Sequence, residues 1–189
     1  MSTVTPSIGG RPVTIRLAMK MEDALQAIAI RAACFVGELA VPFSDEIDGH
    51  DYGATHVIAS LGDEPIGAVR VRWFRTFAMI DRLAVLQRFR GHRVGHLLLE
   101  RSRILAESRG CNMLYAQVLP PDLDYFAKQG WWRLLPERQR RHSPNRIVAI
   151  VRSVEQSKPR SVGAAPEAVT LRPGPGLDST AFQPRRFPS

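Results

Sequence analysis

The feature that most restricts this chain is a set of three apolar runs, His56 to Leu61, Ile66 to Phe74 and Phe77 to Leu86, joined by connections too short to hold a helix. Short apolar runs bounded by turn residues read as strands, and the joint Gly62-Asp63-Glu64-Pro65 reads as a β-hairpin turn. A chain so constrained carries a meander of strands at its centre. The remaining segments must then cover its faces.

Their patterns suit that task. Val13 to Met19 alternates apolar and polar residues, as a half-buried strand does. Glu22 to Val36 sets Leu25, Ile28, Ala29, Ala32 and Ala33 at helical spacing, with Glu22 and Asp23 in the first turn, where the helix dipole favours them. Residues Gly37 to Gly53 form a loop rich in acid, broken by Pro42 and Gly49. Past the meander, Leu97, Leu98, Ile104 and Leu105 mark a helix that ends near Arg109-Gly110. Met113 to Leu119 is a strand, Leu123 to Gln129 a short helix, and Trp131 to Leu135 and Arg146 to Val154 two closing strands. The order β-α-loop-β-β-β-α-β-α-β-β predicts an α/β fold with a mixed sheet whose adjacent strands mostly meet at tight turns.

Composition sets the outer limits. The 189 residues are 44% hydrophobic and 23% charged, as in an ordinary soluble domain. Residues 1–12, with two prolines and Gly9-Gly10, read as a flexible lead-in, 13–154 as the domain, and 155–189 as a disordered tail with 6 prolines and 3 glycines. No apolar run is long enough to cross a bilayer and the start lacks the apolar core of a secretory signal, which predicts a cytoplasmic protein. The two cysteines, Cys34 and Cys111, build no disulfide framework and sit in no metal-ligand pattern. A net charge of +8 implies an anionic partner. Basic residues scattered without interleaved aromatics argue against single-stranded nucleic acid and leave an acidic membrane surface, a polyphosphate cofactor or an acidic carrier protein, among which charge alone does not choose.

The chemistry concentrates between residues 79 and 100. A strand through Asp81, Arg82, Leu83, Ala84 and Val85 runs into the turn Arg90-Gly91-His92-Arg93-Val94-Gly95 and then into a helix. Unpaired N–H groups and partial positive charge make a helix N-terminus a phosphate site where small residues allow close approach. Gly91 and Gly95 supply that access, and Arg88, Arg90 and Arg93 supply charge. Neither GxGxxG nor GxxxxGK[ST] occurs.

Ile80-Asp81-Arg82-Leu83-Ala84-Val85 followed by Arg90-Gly91-His92-Arg93-Val94-Gly95 resembles motif A of the GNAT N-acetyltransferases, Arg/Gln-x-x-Gly-x-Gly/Ala, with Arg93 in place of the middle glycine. Asp124-Tyr125-Phe126-Ala127-Lys128-Gln129-Gly130-Trp131 is similar to motif B, usually Phe-Tyr-x-x-x-Gly-Phe, with its two aromatics reversed. Arg31 and Phe35, the acidic stretch Ser44 to Asp48 with Asp51, then His56 and Arg70, resemble the ElaA-like subgroup and more distantly the acyl-homoserine lactone synthases.

The resemblance implies a GNAT-like, mostly antiparallel twisted sheet flanked by helices over residues 13–153. It further implies acetyl-CoA or another acyl-CoA as co-substrate, no metal, and a small-molecule or protein amine as acceptor. The strands ending at Val85 and beginning near Met113 would splay, with the pantetheine arm paired to the backbone of Leu83 and Val85 and the thioester polarised near Leu83 and Ala84. Residues Arg90, Gly91, His92, Arg93, Val94 and Gly95 would hold the phosphates. Candidate bases are Glu46, Asp48 and Asp81, with His56 behind them, and Tyr125 is the candidate acid. Arg31, His56, Arg70 and Gln117 would face the acceptor. The acidic loop also reads as a solvated loop, Asp81 as an ion-pair partner of Arg82 or a neighbouring arginine, and His56 as a structural histidine. Alternatives to acetyl transfer are a longer acyl group from acyl-CoA or acyl carrier protein, and a non-catalytic CoA-binding module.

Removing residues 155–189 is expected to shift the melting temperature by no more than a few degrees, because the segment has too little apolar surface to pack. A larger drop in calorimetry of the shortened chain would make it part of the domain.

Overall fold

In the computed structural model, which describes residues 6–133 and 148–154, the predicted strands join in one sheet of order β1-β2-β3-β4-β5-β6-β8-β7. The strands are β1 (Ser7–Ile8), β2 (Arg11–Leu17), β3 (Thr55–Leu61), β4 (Glu64–Trp73), β5 (Phe77–Val85), β6 (Met113–Val118), β7 (Trp132–Arg133) and β8 (Val148–Ser153). Every neighbouring pair is antiparallel except β5 and β6. A parallel pair needs a crossover, and helix α3 (Val94–Ser108) provides it.

The two faces of the meander are covered by different helices. On one, α1 (Met21–Ala32) sets Ala27 and Ile30 against Ile58, Ala68 and Ala84. On the other, α3 sets Val94, Leu98, Leu99 and Ala106 against Val57, Val69, Val71 and Ile80. Burial on both sides explains why β3 and β4 read as nearly unbroken apolar runs rather than alternating ones. Asp23 anchors the start of α1: its carboxylate accepts the Met19 and Lys20 N–H groups at 3.0 and 3.3 Å and pairs with Arg16 on β2.

Three local features differ from the sequence reading. Within the expected flexible lead-in, Ser7–Ile8 pair with Pro12 and Arg11, because Gly9 and Gly10, both at positive φ, make a two-residue hairpin turn. Helix α1 stops at Ala32 and continues as a π-helix over Ala33–Glu38, with the Leu39 N–H donating to the Cys34 carbonyl. The acidic loop contains a short helix α2 (Phe43–Glu46), started by Pro42, and a 3₁₀ turn over His50–Gly53. The expected ends of the closing strands beyond Arg133 and before Val148, and the tail from residue 155, lie outside the described residues.

Gly67 on β4 sets how closely α3 approaches the sheet. A Cβ there would stand 3.1 Å from Val94, 3.2 Å from the Ala84 carbonyl and 3.2 Å from Leu98. Gly67→Ala is therefore expected to destabilise the fold by about 1–3 kcal/mol through overpacking. Urea unfolding at wild-type stability would show that the helix has room to move.

Candidate functional site

The parallel ladder between β5 and β6 is short. It pairs Phe77 with Met113 and runs to Ile80 with Ala116, after which β5 continues to Val85 and β6 to Val118 with no further pairing between them. Just past the last pair, β5 carries a bulge. Ala68 faces Ala84 but Arg70 faces Asp81, so Val69 opposes both Arg82 and Leu83. Arg82 takes a left-handed backbone there, φ 53°.

Beside this opening, α3 begins without a side-chain cap. Its N-cap residue, Arg93, is also left-handed, at φ 61°. At the position where motif A has its middle glycine, a backbone state that favours glycine is thus held by an arginine whose side chain is exposed. Gly95 lies in the first turn, and a Cβ on it would collide with the Tyr125 hydroxyl, close to Leu83. Three residues predicted separately, Leu83 on β5, Gly95 on α3 and Tyr125 on α4 (Leu123–Ala127), converge at the opening. Phe126, which stands where the family often has tyrosine, is buried edge-on to Trp131. The reversed aromatic pair therefore leaves the hydroxyl to Tyr125. Tyr125 is 42% exposed, but the partial desolvation of its hydroxyl raises its pKa, which keeps its proton in place at neutral pH.

The loop arginines point elsewhere. Arg90 donates from Nε to the Val85 carbonyl at 2.9 Å and from Nη2 to Glu38 at 2.5 Å, with the Cys34 sulfur at 3.9 Å. The carbonyl of Val85, part of the backbone expected to meet the pantetheine arm, thus accepts from Arg90, and Arg90 itself is engaged with the π-helix. Arg88 pairs with Glu64. Gly91, His92 and Arg93 are exposed, and Val94 is buried under the first turn.

The α1 face of the sheet holds a second feature. Arg31, Arg70, Arg72 and Arg82 interlock with Glu46, Asp48, Asp51 and Asp81. Arg31 donates from Nε to Glu46 at 2.7 Å and from Nη1 to Asp51 at 2.5 Å. Arg70 donates from Nη1 and Nη2 to Asp48 at 2.6 and 2.8 Å, and from Nε to Asp81 at 2.7 Å. Burial pushes the Asp48 carboxyl up, but hydrogen bonds from Arg70 and the His50 N–H outweigh it and hold the group well below the usual carboxylate range. Asp51 is lowered in the same way, burial being overcome by Arg31. Burial opposes the charge of Arg70, yet Asp48 and Asp81 raise its pKa further.

This geometry corrects several sequence expectations. Glu46 is 0% exposed, and its two oxygens each lie 2.7 Å from a guanidinium Nε, of Arg31 and of Arg82. Burial raises its pKa while those arginines resist, and both of its oxygens face guanidinium groups in this structure. Arg31 and Arg70, expected to face the acceptor, are 0% and 1% exposed with their guanidinium groups already committed to carboxylates. His56 is buried, its Nε2 3.7 Å from Asp51, and burial followed by repulsion from Arg31 lowers its pKa, so it is neutral at pH 7. Asp48, Asp81, Arg72 and Arg82 form the partly exposed rim. On β6, Gln117 is exposed and donates to the Tyr115 hydroxyl at 3.0 Å. Arg72 and Arg82 were missed as cluster members; the alternation of Arg70 and Arg72 on one strand face was a usable signal, whereas the turn of Arg82 into the cluster depends on a bulge that sequence pattern does not mark.

An otherwise antiparallel sheet whose single parallel pair opens beside an uncapped helix N-terminus is the acyltransferase type of α/β fold. The model of the acetyltransferase (GNAT) family matches residues 25–131, more than half of the chain, so the protein belongs to that family and is an N-acetyltransferase of the GNAT type. It is 26% identical over 123 residues to the uncharacterized N-acetyltransferase YjcF of Bacillus subtilis (strain 168), covering 65% of this chain and 87% of that one. Among solved structures it is similar to Escherichia coli ElaA, with TM-score 0.62 and 17% identity over 74% of this chain and 99% of the other. It is likewise similar to an aminoglycoside 6'-N-acetyltransferase complexed with coenzyme A, with TM-score 0.64 and 12% identity over 78% of this chain and 99% of the other. No helix among the described residues is long and apolar enough to cross a membrane.

Arg93→Gly removes a side chain from a left-handed position and is expected to stabilise the protein by about 1 kcal/mol. A fall in denaturation midpoint would mean that the arginine makes a contact stronger than the backbone strain it carries.

Proposed function

We propose that this enzyme transfers an acetyl group directly from acetyl-CoA to an amine at the opening between β5 and β6. The observation that carries this reading is the end of the parallel ladder at Ile80 and Ala116 beside the uncapped first turn of α3. Gly95 fits the cofactor: its missing Cβ leaves the first-turn N–H groups open to a phosphate oxygen, in a space now shared with the Tyr125 hydroxyl. Gly91, His92, Arg93, Val94 and Gly95 would hold the phosphates, with Arg90 shaping the turn rather than binding through its occupied guanidinium. Leu83 and Ala84 offer the backbone edge that β6 has left, and Val85 ends it. When bound, acyl-CoA supplies the activated acyl thioester.

The chain's own groups divide the remaining work. The partly exposed rim, Asp48 and Asp81, faces the acceptor side and holds a water that takes the amine proton. Asp48 is held strongly ionised by Arg70 and the His50 N–H, which makes it a weak base, so the water carries the proton between the rim carboxylates. Gln117 orients the acceptor across the opening, one register step past the Ile80–Ala116 pair. Tyr125, protonated and next to Leu83, donates to the departing thiolate. A cytoplasmic site of action, where the acyl-CoA co-substrate is at hand, completes the reading.

Acetyl-CoA at 100 times its dissociation constant is expected to stabilise the folded protein by about 2.7 kcal/mol in a thermal shift. Tyr125→Phe is expected to lower kcat by roughly 10²-fold for an accepted amine while leaving acetyl-CoA affinity nearly intact, the size of a lost proton donor. Absence of any stabilisation by acetyl-CoA sinks the cofactor assignment. Unchanged kcat in Tyr125→Phe assigns the proton to solvent.

A further inference from the structure

Arg82 is one of two left-handed arginines near the opening, and the one that lies within a strand. A side chain at positive φ is disfavoured for an L-residue, and no glycine or asparagine eases it here. It persists because its guanidinium is held from three sides. Nε forms an ion pair with Glu46 Oε2 at 2.7 Å, held by charge without hydrogen-bond alignment, Nη2 donates to the Asp45 carbonyl at 2.5 Å, and the Phe35 ring lies beneath it with its centroid 5.8 Å away. Glu46 cannot follow Arg82 if the strand shifts. Its other oxygen is fixed by Arg31 Nε, and Arg31 Nη2 donates to the Glu46 backbone carbonyl at 3.2 Å.

From this chain of contacts we infer that Glu46 and Arg82 form a clamp that holds the β5 bulge left-handed and so aims the following Leu83 backbone at the acyl group. Glu46 is a positioning residue acting through Arg82. The inference rests on the reading of the β5–β6 opening as the acyl-CoA groove. The bulge matters there because Val69 opposes two residues of β5, so the peptide units around Arg82 and Leu83 leave the regular ladder while the strand's other edge has lost β6. A small rotation of residue 82 redirects those groups, and misplacement of about 1 Å near reacting atoms is enough to lose roughly 10²-fold in rate. The clamp is built entirely on the acceptor side, from α1, the π-helix and α2, so the loop that borders the acceptor also fixes the strand that meets the acyl donor.

The test compares two replacements of Arg82, with Glu46→Gln beside them. Arg82→Ala removes the clamp and leaves a residue that resists positive φ; Arg82→Gly removes the clamp and leaves one that adopts it freely. Both keep Glu46 paired with Arg31. Steady-state kinetics should show Arg82→Ala losing at least about 10-fold in kcat and Arg82→Gly recovering most of that loss, since only backbone geometry separates them. If glycine is as impaired as alanine, the side chain acts on substrate directly and the clamp is wrong. Glu46→Gln should lower kcat with the acid limb of the kcat/KM pH profile unmoved; loss of that limb would restore Glu46 as the base and overturn the proposal. Crystal structures of Arg82→Ala and Glu46→Gln provide a readout apart from activity: residue 82 should leave the left-handed region. Should it stay there in both, the clamp is refuted even with kinetics impaired. Should the wild type fail to bind acetyl-CoA in calorimetry, the groove assignment falls, while the backbone of residue 82 still decides the clamp.

Discussion

A guanidinium buried in a sheet face must be matched by carboxylates, and Arg70, 1% exposed in the middle of β4, imposes that requirement on everything around it. The desolvation of such an ion amounts to several kcal/mol, and only close, well-directed partners offset it. One partner, Asp81, comes from the neighbouring strand. The others, Asp48 and Asp51, must come from outside the sheet, so residues 37–53 are drawn across its face. Arg31 repeats the demand from α1 and takes Glu46 and Asp51. The result pins a loop that would otherwise be solvated, through pairs whose individual removal would leave an uncompensated charge in the interior.

This ordering explains what the sequence did and did not disclose. The strands around Gly62 were legible to within a few residues because burial on both faces leaves apolar runs and a two-residue turn leaves a glycine, here at φ 63°. The β5–α3–β6 crossover was legible from its turn. The acidic loop was not, since a solvated loop and a loop locked by arginines have the same composition; the difference lies in whether partners such as Arg31 and Arg70 point inward, and that depends on tertiary packing. The same holds for Glu46, whose place in an acidic segment suggested a base and which is in fact buried between Arg31 and Arg82. Gly9-Gly10 was read as slack in the chain and is a hairpin turn, because glycine permits both and only the pairing of Ser7–Ile8 decides.

Tyr125 shows a different limit. Motif position made Phe126 the counterpart of the usual tyrosine, yet helical rotation matters more than alignment. A five-residue helix turns one side chain into the core against Trp131 and its neighbour toward Leu83 and Gly95. Exchanging the two aromatics in sequence therefore need not remove a hydroxyl from the opening. The buried member had to be the one without a polar atom, because a phenol in that contact would need a hydrogen-bond partner.

Helix α1 and its π-helical extension connect the two halves of the site. Arg31, at the end of α1, belongs to the ion cluster, and Cys34 and Glu38, in the π-helix, approach Arg90 at the head of the phosphate turn. The wider π turn, closed by the Leu39 N–H on the Cys34 carbonyl, places both of these residues on the side of Arg90. Arg90 in turn holds the carbonyl of Val85, the last residue of β5. One continuous element thus bears on β5 at both ends of the stretch that β6 has left, through Arg31 and its α2 partner Glu46 at Arg82 and through Glu38 at Arg90. The strand segment bordering the proposed acyl groove keeps β4 on one edge and is further held by ions on the acceptor side where β6 has left the other, which is how it can present an open backbone edge without losing its shape.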